Sequence, residues 1–285
     1  MNSQEFYQWC AAQTTLNRDT HSKPLVMAVL NVTPDSFSDG GETFSSQNAI
    51  EKALSYLAEG ADIIDIGGES TRPGAFPVSA EEELNRVLPV IKELRKVSDV
   101  CISIDTYKPE VMQVVVDAGA SMINDVTALT TAGAPALVAR LQVPVCLMHM
   151  KGEPGSMQEN PQYIDVVNEI NQFFAERVEF CRNAGIPEHY LILDPGFGFG
   201  KSVEHNLWIV KRFNEFHKHA QPLMIGASRK STLGAILKKD VSDRVAGGVA
   251  IGLITALQGV NIIRTHDVEP LQQALNVLYA IDNLN

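Results

Sequence analysis

The chain has 285 residues, of which 45% are hydrophobic and 20% charged, with 20 Gly and 14 Pro. That make-up belongs to an ordinary globular protein and excludes collagen, coiled coil and extended disorder. The 23 Lys and Arg against 34 Asp and Glu give a formal charge of −11, which repels phosphodiester backbones and argues against nucleic acid as a partner. Length alone allows two domains, but a single α/β barrel commonly fills ~250 residues.

Residues 1–23 read as a polar lead-in. The stretch Met1–Trp9 carries an acid and no apolar core, so it is not expected to be a secretory signal. From residue 24 to residue 285 short β-branched runs alternate with longer helical patterns, with no linker between them. The expected strands are Leu25–Asn31, Asp62–Gly67, Cys101–Thr106, Met122–Val126, Val145–His149, Tyr190–Asp194, Leu223–Ser228 and Asn261–Thr265. The expected helices are Gln47–Glu59, Ala80–Val97, Pro109–Ala118, Ala134–Leu141, Tyr163–Ala184, Val203–His217, Ser242–Gln258 and Pro270–Ile281. Gly60, Gly119 and Gly185 stand where helices stop, which suits a left-handed residue just past the helix end. Val245–Ile263 carries no charge and is long enough to raise a membrane span, but four glycines, Thr255, Gln258 and Asn261 interrupt it. A buried helix followed by a strand is the expectation, and no membrane partner. The four cysteines, Cys10, Cys101, Cys146 and Cys181, lack CxxC spacing and suggest reduced thiols in a cytoplasmic protein.

Eight evenly spaced parallel strands favour a single-domain (β/α)8 TIM barrel over an open doubly wound sheet. In such a barrel chemistry collects at the C-terminal ends of the strands, and polar side chains crowd those positions here. Ser228-Arg229-Lys230 and Arg264-Thr265-His266 supply cations where barrels often hold phosphate, so an anionic group is expected there. Asp105, Asn124 and Asp194, with Lys230, offer hydrogen-bonding groups suited to a flat heterocycle. Any one of these acids could instead cap the next helix; the cluster is what points to a site.

Several familiar motifs fail on spacing. Gly200-Lys201-Ser202 ends like a phosphate-binding loop, but Pro195 stands where that motif needs its first glycine. His149 and His266 stand alone, and the first strand ends in Asn31-Val32-Thr33 rather than a His-x-His pair, so a zinc hydrolase lacks its ligands. There is no G-x-S-x-G elbow. A Schiff-base role for Lys230 stays open beside an ion-binding one.

The strings Met27–Gly41, Asp65–Gly74, Ile104–Thr106, Ile123-Asn124-Asp125, Leu147–Met150, Leu193–Lys201, Gly226–Ser231 and Ile263–Val268 together resemble the dihydropteroate synthases of the folate pathway. The resemblance covers nearly the whole chain, with its motifs in order. It implies a transferase that joins 6-hydroxymethyl-7,8-dihydropterin diphosphate to 4-aminobenzoate, forming 7,8-dihydropteroate and diphosphate. It further implies a cytoplasmic homodimer, a sulfonamide target, that uses Mg2+. By motif, the pterin pocket would be Asp105, Asn124, Met148, Asp194, Phe199 and Lys230. The diphosphate would meet Thr71, Arg72, Arg264 and His266, with Asn31 acting through the metal. The aminobenzoate would meet Phe37, Thr71, Pro73 and Ser231, and Asp105, Lys230, Arg264 and His266 form the catalytic set. A corrinoid-linked methyltetrahydrofolate methyltransferase would share the pterin acids without needing the diphosphate set. A catalytically silent paralogue would be expected to have lost loop residues that are intact here.

Overall fold

The computed structural model describes residues 1–13, 22–33, 42–70, 76–152, 157–282 and 284. Eight parallel strands run in the order β6-β5-β4-β3-β2-β1-β8-β7. They are β1 (Leu25–Asn31), β2 (Ile63–Gly67), β3 (Cys101–Asp105), β4 (Met122–Asp125), β5 (Val145–Met148), β6 (Leu191–Asp194), β7 (Met224–Ile225) and β8 (Ile262–Thr265). A parallel bridge between Leu193 and Leu223 joins β6 to the start of β7 and closes the barrel. Helices follow the strands: α1 (Ser3–Gln13) precedes them, then come α2 (Glu42–Ala58), α3 (Ala80–Val97), α4 (Pro109–Asp117) and α5 (Ala134–Leu141). The circuit is completed by α6 (Val166–Asn183), α7 (Val203–Lys211), α8 (Ser231–Leu237), α9 (Val245–Ala256) and α10 (Val268–Asp282).

Strand side chains alternate between the two faces of a sheet, so one residue in two points into the barrel. The outward set, such as Ala28, Ile64, Ile102, Ile123, Leu147 and Leu193, packs under the helices in the larger core. The inward set begins with an apolar floor of Met27, Ile63, Cys101, Met122, Cys146, Ile192, Met224 and Ile262. Two residues further along, five of these strands place a polar residue inward: Asp65, Ser103, Asn124, Asp194 and Arg264. The floor carries stability and the layer above it carries chemistry.

Several helix boundaries are set by local chemistry. Ser79 caps α3 by accepting from the Glu82 N–H at 3.1 Å, and acids fill its first turn while Arg95 and Lys96 fill its last. Gly60, Gly119 and Gly185 have φ of +98°, +109° and +90°, so the expected left-handed stops are present. Val245–Ile263 is helix α9, a turn at Gly259 and then β8, as the sequence suggested. Among the described residues no helix is long and apolar enough to cross a membrane. Cys10, Cys101, Cys146 and Cys181 are free thiols, all buried.

Four expectations need correction. Residues 1–23 are not merely a polar lead-in: α1 lays Phe6 and Cys10, both fully buried, across the apolar floor of the barrel. The seventh strand shrinks from Leu223–Ser228 to Met224–Ile225, because residues 226–230 turn across the rim. A helix, α8, occupies Ser231–Leu237, where none was expected. The expected helix Val203–His217 also divides, with α7 ending at Lys211 and a 3-10 segment taking Phe213–His219.

Candidate active site

Pairing across the barrel mouth sets neighbours that lie far apart in sequence. Asn31 stands opposite Gly67, Gly67 opposite Asp105, Asp105 opposite Asn124, and Met148 opposite Asp194. Arg264, on β8, reaches into the centre of this ring. Its Nε donates to Asp65 Oδ2 at 2.6 Å and its Nη2 donates to Asp105 Oδ2 at 2.9 Å. Asn124 Nδ2 donates to the same Asp65 oxygen at 3.2 Å. Asp65, Asp105, Asn124 and Asp194 are all buried.

Burial raises the carboxyl pKa of Asp105 above the usual range, although Arg264 opposes the shift, and nearby Asp65, Glu83 and Asp125 add to it. Burial raises Asp194 as well, with Lys230 as the largest opposing influence. Burial alone would lower Arg264, but Asp65 and Asp105 more than offset that and hold it cationic. Burial pushes Lys230 down to about 8 against the pull of Asp194.

The segment after β6 is shaped around these groups. Asp194 Oδ1 accepts from the Gly196 N–H at 2.7 Å. Gly196, Gly198 and Gly200 have φ of +68°, +85° and +62°. A Cβ on Gly196 would overlap the His149 carbonyl oxygen, so a side chain there is excluded twice over. Lys230 Nζ donates to the Phe197 carbonyl and lies 4.4 Å from the centroid of the Phe199 ring. Met148 is buried at the end of β5. Lys201 is also buried, and it donates to the Phe199 and His149 carbonyls at 2.9 and 3.2 Å. It is folded into the protein rather than offered to phosphate, in line with rejecting a phosphate-binding loop there.

The cations expected to share one anion site separate. Arg229, in a left-handed conformation, pairs with Asp267 through Nη2 at 2.5 Å and so makes a salt bridge at the rim. Lys230 turns instead toward the β6 loop. His266 donates its N–H to Ser228 Oγ at 3.2 Å, and its Nδ1 lies 3.2 Å from the same oxygen. Ser228 Oγ in turn donates to Asp267 Oδ2 at 3.2 Å. Ser231 opens α8 directly after Lys230. Asp125, beside Asn124, faces away from the mouth and accepts from Thr127 and Leu129 N–H groups at 2.7 and 3.0 Å, a turn-forming role. Phe37, Thr71, Arg72 and Pro73 lie outside the described residues. Just before that second loop, Glu69 accepts from Tyr107 Oη at 3.2 Å and pairs with Lys108, which also reaches Glu83 at 2.5 Å.

Sequence reasoning missed Asp65 as a site residue. It sits inside a short apolar run, and the available signal was its spacing: it is two residues before Gly67 and two after Ile63, on the inward face.

The sequence profile described as "Pterin binding enzyme" matches residues 27–266. The dihydropteroate synthase of Escherichia coli strain K12 is 49% identical over 259 residues, spanning 91% of this chain and 92% of that protein. The crystal structure of Yersinia pestis dihydropteroate synthase with a sulfonamide drug complex superposes with a TM-score of 0.88 at 46% identity, over 94% of this chain and 97% of that one. The Xanthomonas albilineans dihydropteroate synthase in complex with 7,8-dihydropteroate gives 0.85 at 42% identity, over 93% and 96%. The chain therefore belongs to the pterin-binding enzyme family. Within that family it falls among the dihydropteroate synthases, the transferases of folate biosynthesis that join a dihydropterin diphosphate to 4-aminobenzoate.

Proposed function

We propose that this chain condenses 6-hydroxymethyl-7,8-dihydropterin diphosphate with 4-aminobenzoate at the C-terminal mouth of the barrel. The observation that carries the reading is the buried ring of Asp105, Asn124 and Asp194 around Arg264, with Lys230 beside Asp194. An ionised carboxylate offers acceptors and no donor, so Asp194 takes the pterin's amino and ring N–H groups. Asn124, which can both donate and accept, meets another edge, and Met148 and Phe199 flank the ring. Arg264 and His266, with Thr71 and Arg72, receive the diphosphate. Phe37, Thr71, Pro73 and Ser231 receive the aminobenzoate, and with it the sulfonamides that occupy such a subsite.

The C–O bond to diphosphate breaks before the amine attacks. The nitrogen-rich ring spreads positive charge from its exocyclic methylene, and an aromatic amine is a weak nucleophile that gains most from a formed cation. Asp105 stabilises that cation while Arg264 and His266 hold the departing diphosphate. The amine nitrogen then bonds to the methylene and sheds one proton. A rate that depends steeply on the basicity of ring-substituted anilines would contradict this order of steps.

A Mg2+ ion fits at Asn31. A Cβ on Gly67 would come within 3.6 Å of both Asn31 Oδ1 and Asp105 Cβ, so the glycine leaves a space bordered by an amide oxygen. Among the described residues no group of three or more His, Cys, Asp or Glu could hold a metal. A single protein oxygen suits Mg2+, which keeps several waters and takes its remaining oxygens from phosphates. When bound, it would neutralise charge on the diphosphate.

A homodimer is supported by an apolar surface on α7, α8 and α9, which pack side by side. Leu207, Trp208, Ile236, Ile254 and, just past the end of α9, Leu257 are each 40% exposed or more. A cytoplasmic location is supported by the four free, buried thiols. The deciding experiment is incubation with the pterin diphosphate and labelled 4-aminobenzoate. Labelled dihydropteroate and equimolar diphosphate are expected, and their absence with both substrates saturating would overturn the proposal.

A further inference from the structure

Lys201 is the lysine of the triplet that resembles a phosphate-binding loop, and the reaction above leaves it without a task. Its exposure is 3%, and lysine is almost never fully buried unless it is paired. Among the described residues no carboxylate makes a salt bridge with its amine, and Asp194 acts on it through charge alone. The amine instead has three other contacts: the Phe199 carbonyl at 2.9 Å, His149 Nδ1 at 3.0 Å and the His149 carbonyl at 3.2 Å. Burial, then the neighbouring Lys201, push the His149 ring down to about 2, so the imidazole is neutral and one ring nitrogen is free to accept. Burial also pushes the Lys201 amine well below its ordinary range, so the pair carries at most one charge.

The contacts tie two elements together. His149 directly follows β5, and its N–H donates to the Asp194 carbonyl at 2.9 Å; Phe199 belongs to the glycine loop that follows β6. The loop is held on its other side by Asn206, which accepts from the Gly198 N–H at 2.7 Å, and by Tyr163, which donates to the Gly200 carbonyl at 3.0 Å. It has no slack in between. A Cβ on Gly198 would lie 2.9 Å from Lys230 Cδ, and one on Gly200 would overlap the Lys151 carbonyl. The same loop provides both contacts that seat Lys230, the Phe197 carbonyl and the Phe199 ring.

We propose that Lys201 is a positioning residue for the pterin pocket: its buried amine clamps the Gly196–Gly200 loop to the end of β5, and the loop then fixes the Lys230 ammonium beside Asp194. The inference rests on the pterin pocket described under the proposed function. Without the clamp, Phe199 and the Phe197 carbonyl shift together, and Lys230 loses its seat while its own side chain is intact. The aminobenzoate side of the mouth is untouched.

The test is steady-state kinetics of Lys201→Met, which keeps an unbranched chain and removes the amine. KM for the pterin diphosphate should rise at least about tenfold, while KM for 4-aminobenzoate at saturating pterin stays within about twofold. A lysine that served stability alone would lower the active fraction and leave both KM values unchanged. If Lys201→Met does not fold, His149→Gln removes the ring contact alone, and a pterin KM raised about threefold or more is expected. A folded variant whose pterin KM equals that of the unaltered protein overturns the positioning role. Unaltered protein that forms no dihydropteroate overturns instead the reading on which it rests.

Discussion

Burial acts on Asp105, Asp194 and Lys230 in the direction that neutralises each, and the opposite charges beside them act against it. The balance sets a pH window for activity. Both carboxylates work ionised and Lys230 works protonated. kcat/KM for the pterin substrate should therefore rise with pH through a limb lying above the ~4 of a free aspartate. It should fall again as pH climbs through about 8, where Lys230 loses its proton. In Lys230→Arg the falling limb should move out of range, because a guanidinium stays charged. A profile flat across that region in the unaltered protein would sink the assignment of Lys230. At the same scale, Asp194→Asn exchanges an acceptor for a donor against the pterin N–H groups. Truncating a buried charge-assisted pair costs ~2–5 kcal/mol. Calorimetry with the pterin should register that loss, and a change in affinity below about threefold would refute the contact.

At the scale of elements, α1 closes the barrel at the end opposite the chemistry. Phe6 is fully buried among floor residues and stacks on Trp9 with ring centroids 5.7 Å apart. Phe6→Ala should lower stability by ~3–5 kcal/mol, since a large buried ring leaves a cavity that its neighbours fill only in part. Urea denaturation measures the loss. kcat per folded molecule should stay unchanged, because the polar layer lies above the floor that Phe6 covers. A matching drop in kcat would mean that the floor and the rim are coupled.

At the scale of the whole molecule, the apolar face of α7–α9 argues for pairing of two chains. Leu257, 67% exposed, and Trp208, 40% exposed, lie on it. The double variant Leu257→Asp with Trp208→Ser should sediment as a monomer, and the unaltered protein is expected to sediment as a dimer. Equal sedimentation of the two would remove this face as the interface. How far such features can be read without coordinates differs by element. Strand β1 and helices α3 and α5 have the bounds their sequences imply, because apolar periodicity and, in α3, a serine cap act locally. Helix α8 was hidden by its seven residues and Gly234, and α1 by an apolar face reduced to Phe6 and Cys10. The rim residues Asp105, Asn124, Asp194 and Lys230 were legible because each follows an apolar run or sits at its end.

The chain by itself therefore determined the alternation of strands and helices, the side of the barrel that carries polar groups, and the family to which those motifs belong. Tertiary structure decided which groups meet. Arg229 and Lys230 are adjacent in sequence, yet one pairs with Asp267 and the other reaches the β6 loop. Asp65 meets Arg264 across 199 positions of chain. Such pairings follow from strand register and barrel closure, which neighbouring residues along the chain do not encode.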